Sequence, residues 1–171
     1  MNVSRPVLIT LASLSLAIAA CGPKKTHEFT PKDSPDGAAF LVKNATEPGV
    51  TVLPDGLQYK VVHAGRADGA SPKKGDDIKI NYEGTLLSGE VFDSSFKRGS
   101  PDIMPLDHLV PGWMEALPKM HVGDEWFIYL PAKLGYGERG QGPIPPNAVL
   151  VFRIQLLGVL PHGGAGGTAN G

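Results

Sequence analysis

Two segments of the 171-residue chain carry residue types that could support covalent or nucleotide chemistry. Ser94 and Ser95 follow Asp93, which would suit a serine nucleophile, but the chain has no GxSxG elbow and no histidine placed to activate them. Residues 135–140 spell GxGxxG, a run that binds dinucleotides between a strand and a helix, whereas the proline-rich stretch that follows cannot begin such a helix. We therefore expect the serines to shape a turn and the glycine run to form a loop.

Metal and nucleic-acid chemistry are not expected either. The histidines are scattered, and neither an HExxH nor a CxxC pair occurs, so we predict no metal site and no cofactor. The formal net charge is −1 and no run of lysine or arginine exceeds two residues, whereas nucleic-acid binders carry a basic face. Any chemistry must therefore come from a site built of other residue types.

Aromatic and apolar residues recur between positions 82 and 152 in short blocks. The blocks are, in order, Val91-Phe92-Asp93-Ser94-Ser95, Val110-Pro111-Gly112-Trp113, Gly135-Tyr136-Gly137 and Ile144-Pro145-Pro146-Asn147. In this order and at this spacing they resemble the FKBP family of prolyl isomerases, and the resemblance extends over residues 50–160. It implies proline-containing polypeptides as substrates and macrolides of the tacrolimus class as inhibitors.

The resemblance implies a pocket whose walls and floor are aromatic and whose other contacts are apolar. It assigns the aromatic positions to Tyr82, Phe92, Trp113 and Phe152, and the apolar contacts to Met104, Leu109, Val110 and Ile144. Several members of the family have phenylalanine where this chain has Met104, which fills the same space with less specific shape. For Phe152, on an alternating strand, a role in the core and a role in the pocket both stay open.

Three polar groups complete the implied site. The Tyr136 hydroxyl and the Ile144 backbone N–H would donate to a substrate carbonyl, and Asp93 would lie partly buried between the Tyr82 hydroxyl and Arg98. A carboxylate beside an aromatic ring in an apolar cleft is costly to bury unless it is paired, so Asp93 best distinguishes a pocket from an ordinary core. The catalytic candidates are Phe92, Asp93 and Tyr136.

The implied reaction needs no nucleophile, because it only rotates a C–N bond whose partial double-bond character sets a barrier of about 18–20 kcal/mol. In the twisted transition state the carbonyl is less polar than in the planar amide, so an apolar pocket that removes water would favour the transition state. We expect an isomerase that acts on exported proteins by desolvation. The alternatives are a peptide-binding folding chaperone with incidental isomerase activity and a surface virulence or adhesion factor.

Period-two runs indicate the strands that must position these residues. Apolar and polar residues alternate over 57–61, 78–82 and 150–156, and the nearly continuous apolar run 125–130 is typical of a central, covered strand. Pro111 suits the first position of a short helix, and Pro118 ends it. The chain is thus predicted to be α+β, an antiparallel sheet of about five to six strands wrapped on one short α-helix.

The N-terminus indicates export. Arg5 is the only charge in residues 1–20, and the apolar stretch within them has the length of a signal peptide rather than of a membrane span. Cys21, the single cysteine of the chain, follows Ile18-Ala19-Ala20, which resembles the bacterial lipoprotein cleavage box. This resemblance implies cleavage before Cys21, a lipid on that thiol, and an anchor in the outer membrane facing the periplasm. A plain secretory signal is the alternative.

The remaining composition divides the chain into four parts. They are a flexible tether (21–36), a short N-terminal helix with its linker (37–49), the isomerase-like domain (50–160) and a glycine-rich, disordered tail (161–171). The helix is predicted over 37–46, with Asp36 as its N-cap. Some relatives carry a long dimerising helix in its place, so we expect a monomer whose only membrane contact is its lipid.

Overall fold

A computed structural model describes residues 37–161 of the chain. The described elements are, in order, α1 (Gly37–Asn44), β1 (Val50–Val52), β2 (Gln58–His63), β3 (Asp77–Leu86), β4 (Val91–Ser94), α2 (Ser95–Arg98), β5 (Asp102–Pro105), α3 (Pro111–Ala116), β6 (Glu125–Leu130) and β7 (Leu150–Leu160). Short 3-10 turns occupy Leu106–His108, Leu117–Lys119 and Ala132–Leu134. The signal peptide, Cys21, the tether, the Asp36 cap and the tail beyond Pro161 lie outside the described residues.

The strands form one antiparallel sheet in the order β1-β2-β6-β7-β3-β4, and β5 pairs with β3 beside β4. The long central strands β3 and β7 pair over their whole length, from Asp77 opposite Leu160 to Leu86 opposite Leu150. The predicted α+β class is confirmed. The described sheet has seven strands rather than five or six, because β1, β4 and β5 have only three or four residues, too few to show a repeat.

The two faces of the sheet differ in character. On β3, Ile78, Ile80 and Tyr82 are buried on one side, whereas Lys79 is exposed and Asn81 half-buried on the other. We call the first side the inner face and the second the outer face. The inner face also carries buried residues of β6 and β7 and packs against α3, and together they form the core: Trp126, Ile128, Leu130, Leu150, Phe152, Ile154, Leu156, Trp113, Ala116 and Leu117.

The predicted short helix forms as α3, which ends one residue earlier than expected and continues into a 3-10 turn containing Pro118. Pro111 occupies the first turn, where its missing N–H is not needed. A Cβ atom at Gly112 would lie 2.7 Å from the Leu130 side chain and 3.1 Å from that of Leu57. Glycine at this position therefore lets α3 approach β6 closely, and this approach sets the depth of the residue that follows it, Trp113.

The N-terminal helix α1 covers part of the outer face. Its Phe40 ring lies 6.0 Å from the Tyr129 ring, and Asn44 donates from Nδ2 to Gln58 Oε1 at 2.8 Å in a buried contact. Gln58 in turn donates to the Leu41 carbonyl at 2.9 Å. A helix of eight residues is marginal alone, so these contacts stabilise it. It ends at Asn44, two residues before the predicted end, and a turn follows.

Candidate functional site

A cavity of about 360 Å³ opens on the inner face, between the central strands, the turn before α3 and the loop after β6. Most of the residues that the sequence assigned to the site line it: Tyr82, Phe92, Asp93, Met104, Leu109, Val110, Trp113, Tyr136 and Phe152. Two residues that sequence reasoning missed, His108 and Gln141, complete the lining. Only their nearness in the chain to Leu109 and to the glycine-rich run could have indicated them. Arg98 and Ile144 do not line the cavity.

Trp113 forms the floor from the first turn of α3. Its ring meets Tyr82 at 5.2 Å and 84°, and Phe152 at 5.1 Å and 85°, so both contacts are edge-to-face. Such contacts fix ring orientation as well as burying apolar area. Trp113 and Phe152 are only 4% and 3% exposed and belong to the core while also lining the cavity. Phe152, for which both roles were left open, therefore belongs to the core and also lines the pocket.

Gly84 on β3 makes room for the aromatic wall, and sequence reasoning missed it. Phe92 and Phe152 meet edge-to-face at 5.5 Å and 89° above it. A Cβ atom at Gly84 would lie 2.5 Å from the Phe92 ring and 2.7 Å from the Phe152 ring. The available signal was a glycine inside an alternating strand, which often marks a close approach. It could not indicate which rings approach.

Asp93 lies in a hydrogen-bonded cluster at one wall. The Tyr82 hydroxyl donates to Asp93 Oδ2 at 2.5 Å, and Arg98 donates to Asp93 Oδ1 and, at 3.2 Å, to the Tyr82 hydroxyl oxygen. Burial alone would raise the pKa of Asp93, but the donors Tyr82 and Arg98 outweigh it and hold that pKa below its usual value. Burial and then the hydrogen bond to Asp93 raise the pKa of Tyr82 to about 12. At neutral pH the carboxylate is therefore charged and the phenol is protonated.

The short helix α2 delivers Arg98 to this cluster. Ser94 caps the helix by accepting the Lys97 N–H, and Gly99 ends it with a left-handed φ of 75°. The guanidinium lies 5.5 Å from the centre of the Tyr82 ring and also donates to Asp102 at 2.5 Å. The expected turn after Asp93 is thus present, and it orients an arginine rather than a nucleophile.

The two expected donors have different surroundings. Tyr136 lines the cavity, and burial, with the Asp93 charge adding to it, raises the pKa of its hydroxyl. This hydroxyl has no hydrogen-bond partner within residues 37–161. The Ile144 N–H donates instead to the Gln141 carbonyl at 2.9 Å, and its side chain is buried. A Cβ atom at Gly140 would lie 2.2 Å from the Ile144 carbonyl oxygen, so the glycine run folds this turn rather than binding a nucleotide.

Val110 presents a backbone donor that sequence reasoning did not consider. It lines the cavity and acts as the N-cap residue of α3, where its carbonyl accepts the Trp113 N–H at 2.9 Å. Its own N–H has no hydrogen-bond partner within the described part of the chain. The first N–H groups of a helix have no acceptor within the helix, and Val110 lies directly before the first residue of α3.

Residues 37–161 hold no group of three or more histidine, cysteine or acidic side chains arranged to bind a metal ion. Across the same residues, no helix is both long and apolar enough to cross a membrane. The site consists of aromatic rings, one paired carboxylate and three donors without a hydrogen-bond partner within residues 37–161: the Tyr136 hydroxyl, the Val110 N–H and the buried Trp113 Nε1–H.

The family is shown by comparison with known proteins. The family model described as FKBP-type peptidyl-prolyl cis-trans isomerase matches residues 69–157, more than half of the chain. The chain belongs to this family. A second model, the domain amino-terminal to FKBP-type peptidyl-prolyl isomerase, matches residues 20–61. The resemblance inferred from the four sequence blocks is thereby confirmed.

Curated relatives of this FKBP-type chain come from several bacteria. It is 50% identical over 122 residues to the peptidyl-prolyl cis-trans isomerase Mip of Coxiella burnetii, covering 71% of this chain and 52% of that protein. It is 45% identical over 140 residues to the outer membrane protein MIP of Legionella longbeachae, covering 80% of this chain and 59% of the relative. The chain thus spans somewhat more than half the length of these two relatives.

Solved structures of the family agree with the fold. The crystal structure of FkpA from Escherichia coli superposes with a TM-score of 0.71 at 42% identity, covering 74% of this chain and 58% of that one. A peptidyl-prolyl cis-trans isomerase from Pseudomonas syringae gives a TM-score of 0.67 at 32% identity, covering 72% of this chain and 90% of that one.

Proposed function

We propose that this chain accelerates the cis/trans isomerisation of X–Pro peptide bonds in exported polypeptides. The observation that carries the proposal is the cavity on the inner face, whose floor and walls are the edge-to-face rings of Trp113, Tyr82, Phe152 and Phe92. A concave apolar site with few polar groups suits the ring of a proline. The family match supports the same reaction.

The proposed rate acceleration comes from desolvation of the substrate carbonyl. The planar amide has a polar carbonyl that water stabilises, whereas the twisted amide has lost resonance and depends less on water. Rings that exclude water from the carbonyl therefore stabilise the transition state relative to the ground state, and only such differential stabilisation raises the rate. Lowering the barrier by about 7 kcal/mol would accelerate rotation about 10⁵-fold.

Two donors would hold the substrate while the bond rotates. The Tyr136 hydroxyl is free to donate at the cavity, and the Val110 N–H is a second free donor at the cavity, beside the floor residue. We propose this pair in place of Tyr136 with the Ile144 N–H, which would first have to leave the Gln141 carbonyl. Asp93 would act by orientation: its bonds to Tyr82 and Arg98 hold one wall in place.

The test is isomerisation of a model X–Pro peptide by the chain produced without its proposed signal peptide and lipid, which we call the soluble chain. The reaction is measured with and without tacrolimus. We expect acceleration that tacrolimus inhibits, and a loss of most of this activity in Phe92→Ala. Phe40→Ala is the matched control, because it removes the same ring from α1 on the outer face. Full activity in Phe92→Ala, or no acceleration by the folded wild type, would refute the proposal.

A peptide-binding chaperone with incidental isomerase activity would use the same cavity. Suppression of aggregation of a proline-free client by wild type and Phe92→Ala separates the two functions. We expect the wild type to suppress aggregation weakly. Strong suppression that survives in Phe92→Ala while isomerisation is lost would favour an independent chaperone role.

We also propose that the chain is lipidated at Cys21 and anchored in the outer membrane of the cell envelope. The cleavage box before Cys21 supports the lipid, and one relative is named an outer membrane protein. Metabolic labelling with a fatty acid should label the wild type and spare Cys21→Ser. Label retained in that variant would contradict the proposal.

We propose a monomer. The described part of the N-terminal region is a single eight-residue helix that packs against its own sheet through Phe40 and Asn44. Analytical ultracentrifugation of the soluble chain tests this directly. A sedimentation coefficient of a dimer at micromolar concentration would overturn it.

A further inference from the structure

The outer face carries a chain of polar side chains that spans three strands. Ser95 Oγ lies 3.4 Å from Asn81 Oδ1 of β3, and Asn81 Nδ2 donates to Gln155 Oε1 of β7 at 3.3 Å. Gln155 Nε2 donates to Glu125 Oε2 of β6 at 2.9 Å. Arg153 Nε donates to the other Glu125 oxygen at 2.6 Å. These contacts run across the sheet behind the aromatic pocket.

This series of polar contacts begins at Ser95 on α2 and returns to α2 at its other end. At the far end, the Arg153 guanidinium lies 5.0 Å from the centre of the Phe96 ring on the outer face. Two residues after Phe96, Arg98 contacts Tyr82 and Asp93 on the inner face. We call the outer set the outer-face clamp, consisting of Ser95, Phe96, Asn81, Glu125, Arg153 and Gln155.

Ser95 also fills a gap in the edge of β3. β5 pairs with β3 from Asp77 to Ile80, and β4 pairs with it from Glu83 onward. Between them, the Tyr82 N–H faces no strand and is accepted instead by Ser95 Oγ at 2.8 Å. Ser95 is 0% exposed, so this hydroxyl takes the place of a strand partner directly behind a wall residue of the pocket.

We propose that Ser95 is a positioning residue of the isomerase pocket, which acts through α2 and Arg98 on the Tyr82–Asp93 pair. The proposal rests on the proposed isomerase function. Without the hydroxyl, the buried Tyr82 N–H has no acceptor and α2 loses the hydrogen bond that joins Ser95 to the backbone of β3. Arg98 would then leave Asp93 for part of the time, and the wall built by Tyr82 would lose its fixed orientation.

The test compares Ser95→Ala with Thr85→Val in the soluble chain. Thr85 is the control, because its hydroxyl makes a hydrogen bond within the sheet, to the Val151 carbonyl at 3.3 Å, away from α2. We expect Ser95→Ala to lower kcat/KM about tenfold, the size of one buried hydrogen bond, and Thr85→Val to change it less than about twofold. Amide hydrogen exchange at Tyr82 should accelerate in Ser95→Ala only.

A double-mutant cycle with Arg98→Leu shows whether the effect passes through Arg98. If it does, Ser95→Ala should cost less than about twofold when Arg98 is already leucine, since coupled sites are not additive. An equal loss in both backgrounds would overturn the proposal. So would equal losses in Ser95→Ala and Thr85→Val, because a merely structural hydroxyl would lower stability without this coupling.

Arg153→Gln provides a second route if Ser95→Ala does not fold. Its side chain is 43% exposed, so the substitution leaves the core intact while weakening the far end of the outer-face clamp. We expect a loss of about two- to threefold in kcat/KM that disappears in the Arg98→Leu background. An unchanged kcat/KM would overturn the proposal. An inactive but folded wild type would instead refute the isomerase function, and Tyr82 amide exchange would still test the positioning role.

Discussion

The inner and outer faces of the same strands differ in the side chains they carry: the inner face borders the cavity, and the outer face carries a polar network. On β3 and β7, Tyr82 and Phe152 point inward to the aromatic-lined cavity, whereas Asn81 and Arg153 point outward to a polar network. Strand alternation makes this possible, because neighbouring residues lie on opposite faces. The inner face would supply the environment for the proposed isomerisation, and the outer face can fix the position of the strands without adding polar groups to the cavity.

The two carboxylates of these regions show the same contrast. Glu125 on the outer face is shared by Arg153 and Gln155, and these partners outweigh its burial to lower its pKa. Asp93 on the inner face is held in a similar way by Tyr82 and Arg98. Each acid is thus kept charged by donors from other segments. Only Asp93 lies beside the cavity. We therefore expect neutralising Asp93 to lower the activity more than it lowers the stability of the fold.

The largest expected effect comes from the two buried tryptophans. Trp113 lies under the cavity, and Trp126 stacks on Tyr59 at 4.4 Å, away from it. Replacing either with alanine should lower the free energy of unfolding by about 3–5 kcal/mol. Only Trp113→Ala should lower kcat/KM, by about 100-fold, equivalent to about 2.8 kcal/mol of transition-state stabilisation. Urea unfolding and peptide isomerisation measure the two effects. Equal losses of activity would contradict a localised pocket.

The next effect separates two strand glycines. Gly84→Ala places a methyl group against the Phe92 and Phe152 rings, and we expect Phe92 to move into the cavity. The overpacking should cost about 1–3 kcal/mol of stability and about 30-fold in kcat/KM, or about 2 kcal/mol. Gly158→Ala is the control, because its Cβ atom would meet only Lys79 at an ordinary 3.7 Å. Normal activity in Gly84→Ala would show that the rings adapt without closing the cavity.

A smaller effect distinguishes the two carboxylates that Arg98 binds. Asp93 lines the cavity and Asp102 does not. Asp93→Asn should lower kcat/KM about fivefold, or about 1 kcal/mol, because the amide keeps a contact with Tyr82 but loses the charge that holds Arg98. Asp102→Asn should change kcat/KM less than about twofold, since Asp102 lies outside the cavity and Arg98 keeps its contacts with Asp93 and Tyr82. Equal effects would mean that Arg98, rather than Asp93, determines the pocket.

Much of the fold and of the pocket was predictable from local signals. The period-two runs predicted the central strands, and Pro111 and Pro118 predicted the bounds of α3 within one residue. The four aromatic residues named from the ordered blocks all line the cavity, because a family spacing records which strands lie side by side. These signals depend on chain order and on periodicity, both of which are visible without coordinates.

What the sequence could not predict depends on contacts between distant segments. Gly84 matters because rings from β4 and β7 meet above it, and Ser95 matters because β4 and β5 leave a gap in the edge of β3. The Ile144 N–H was expected to face substrate. In the structure it donates to the Gln141 carbonyl, within the turn that contains Gly140. In each case the decisive partner is set by packing, and no local pattern records it.

The smallest effect tests whether the Tyr82 phenol belongs to the charged wall. Its pKa of about 12 lies above the ordinary value of about 10, so the bound proton stabilises the folded state. That stability is fully present below about pH 10 and is lost as pH rises towards 12. Tyr82→Phe lacks this proton, so the wild type should lose more stability than the variant between pH 9 and 11, by about 1 kcal/mol at most.

Urea midpoints at these two pH values measure the difference, and Tyr129, whose pKa is also raised to about 12, is present in both proteins and cancels. Parallel loss of stability in wild type and Tyr82→Phe would mean that the phenol is not held by Asp93 and burial. The inner face would then be an apolar cavity without an organised charged wall. A larger loss in the wild type would instead show that burial and the Asp93 carboxylate keep the Tyr82 proton bound in the folded state.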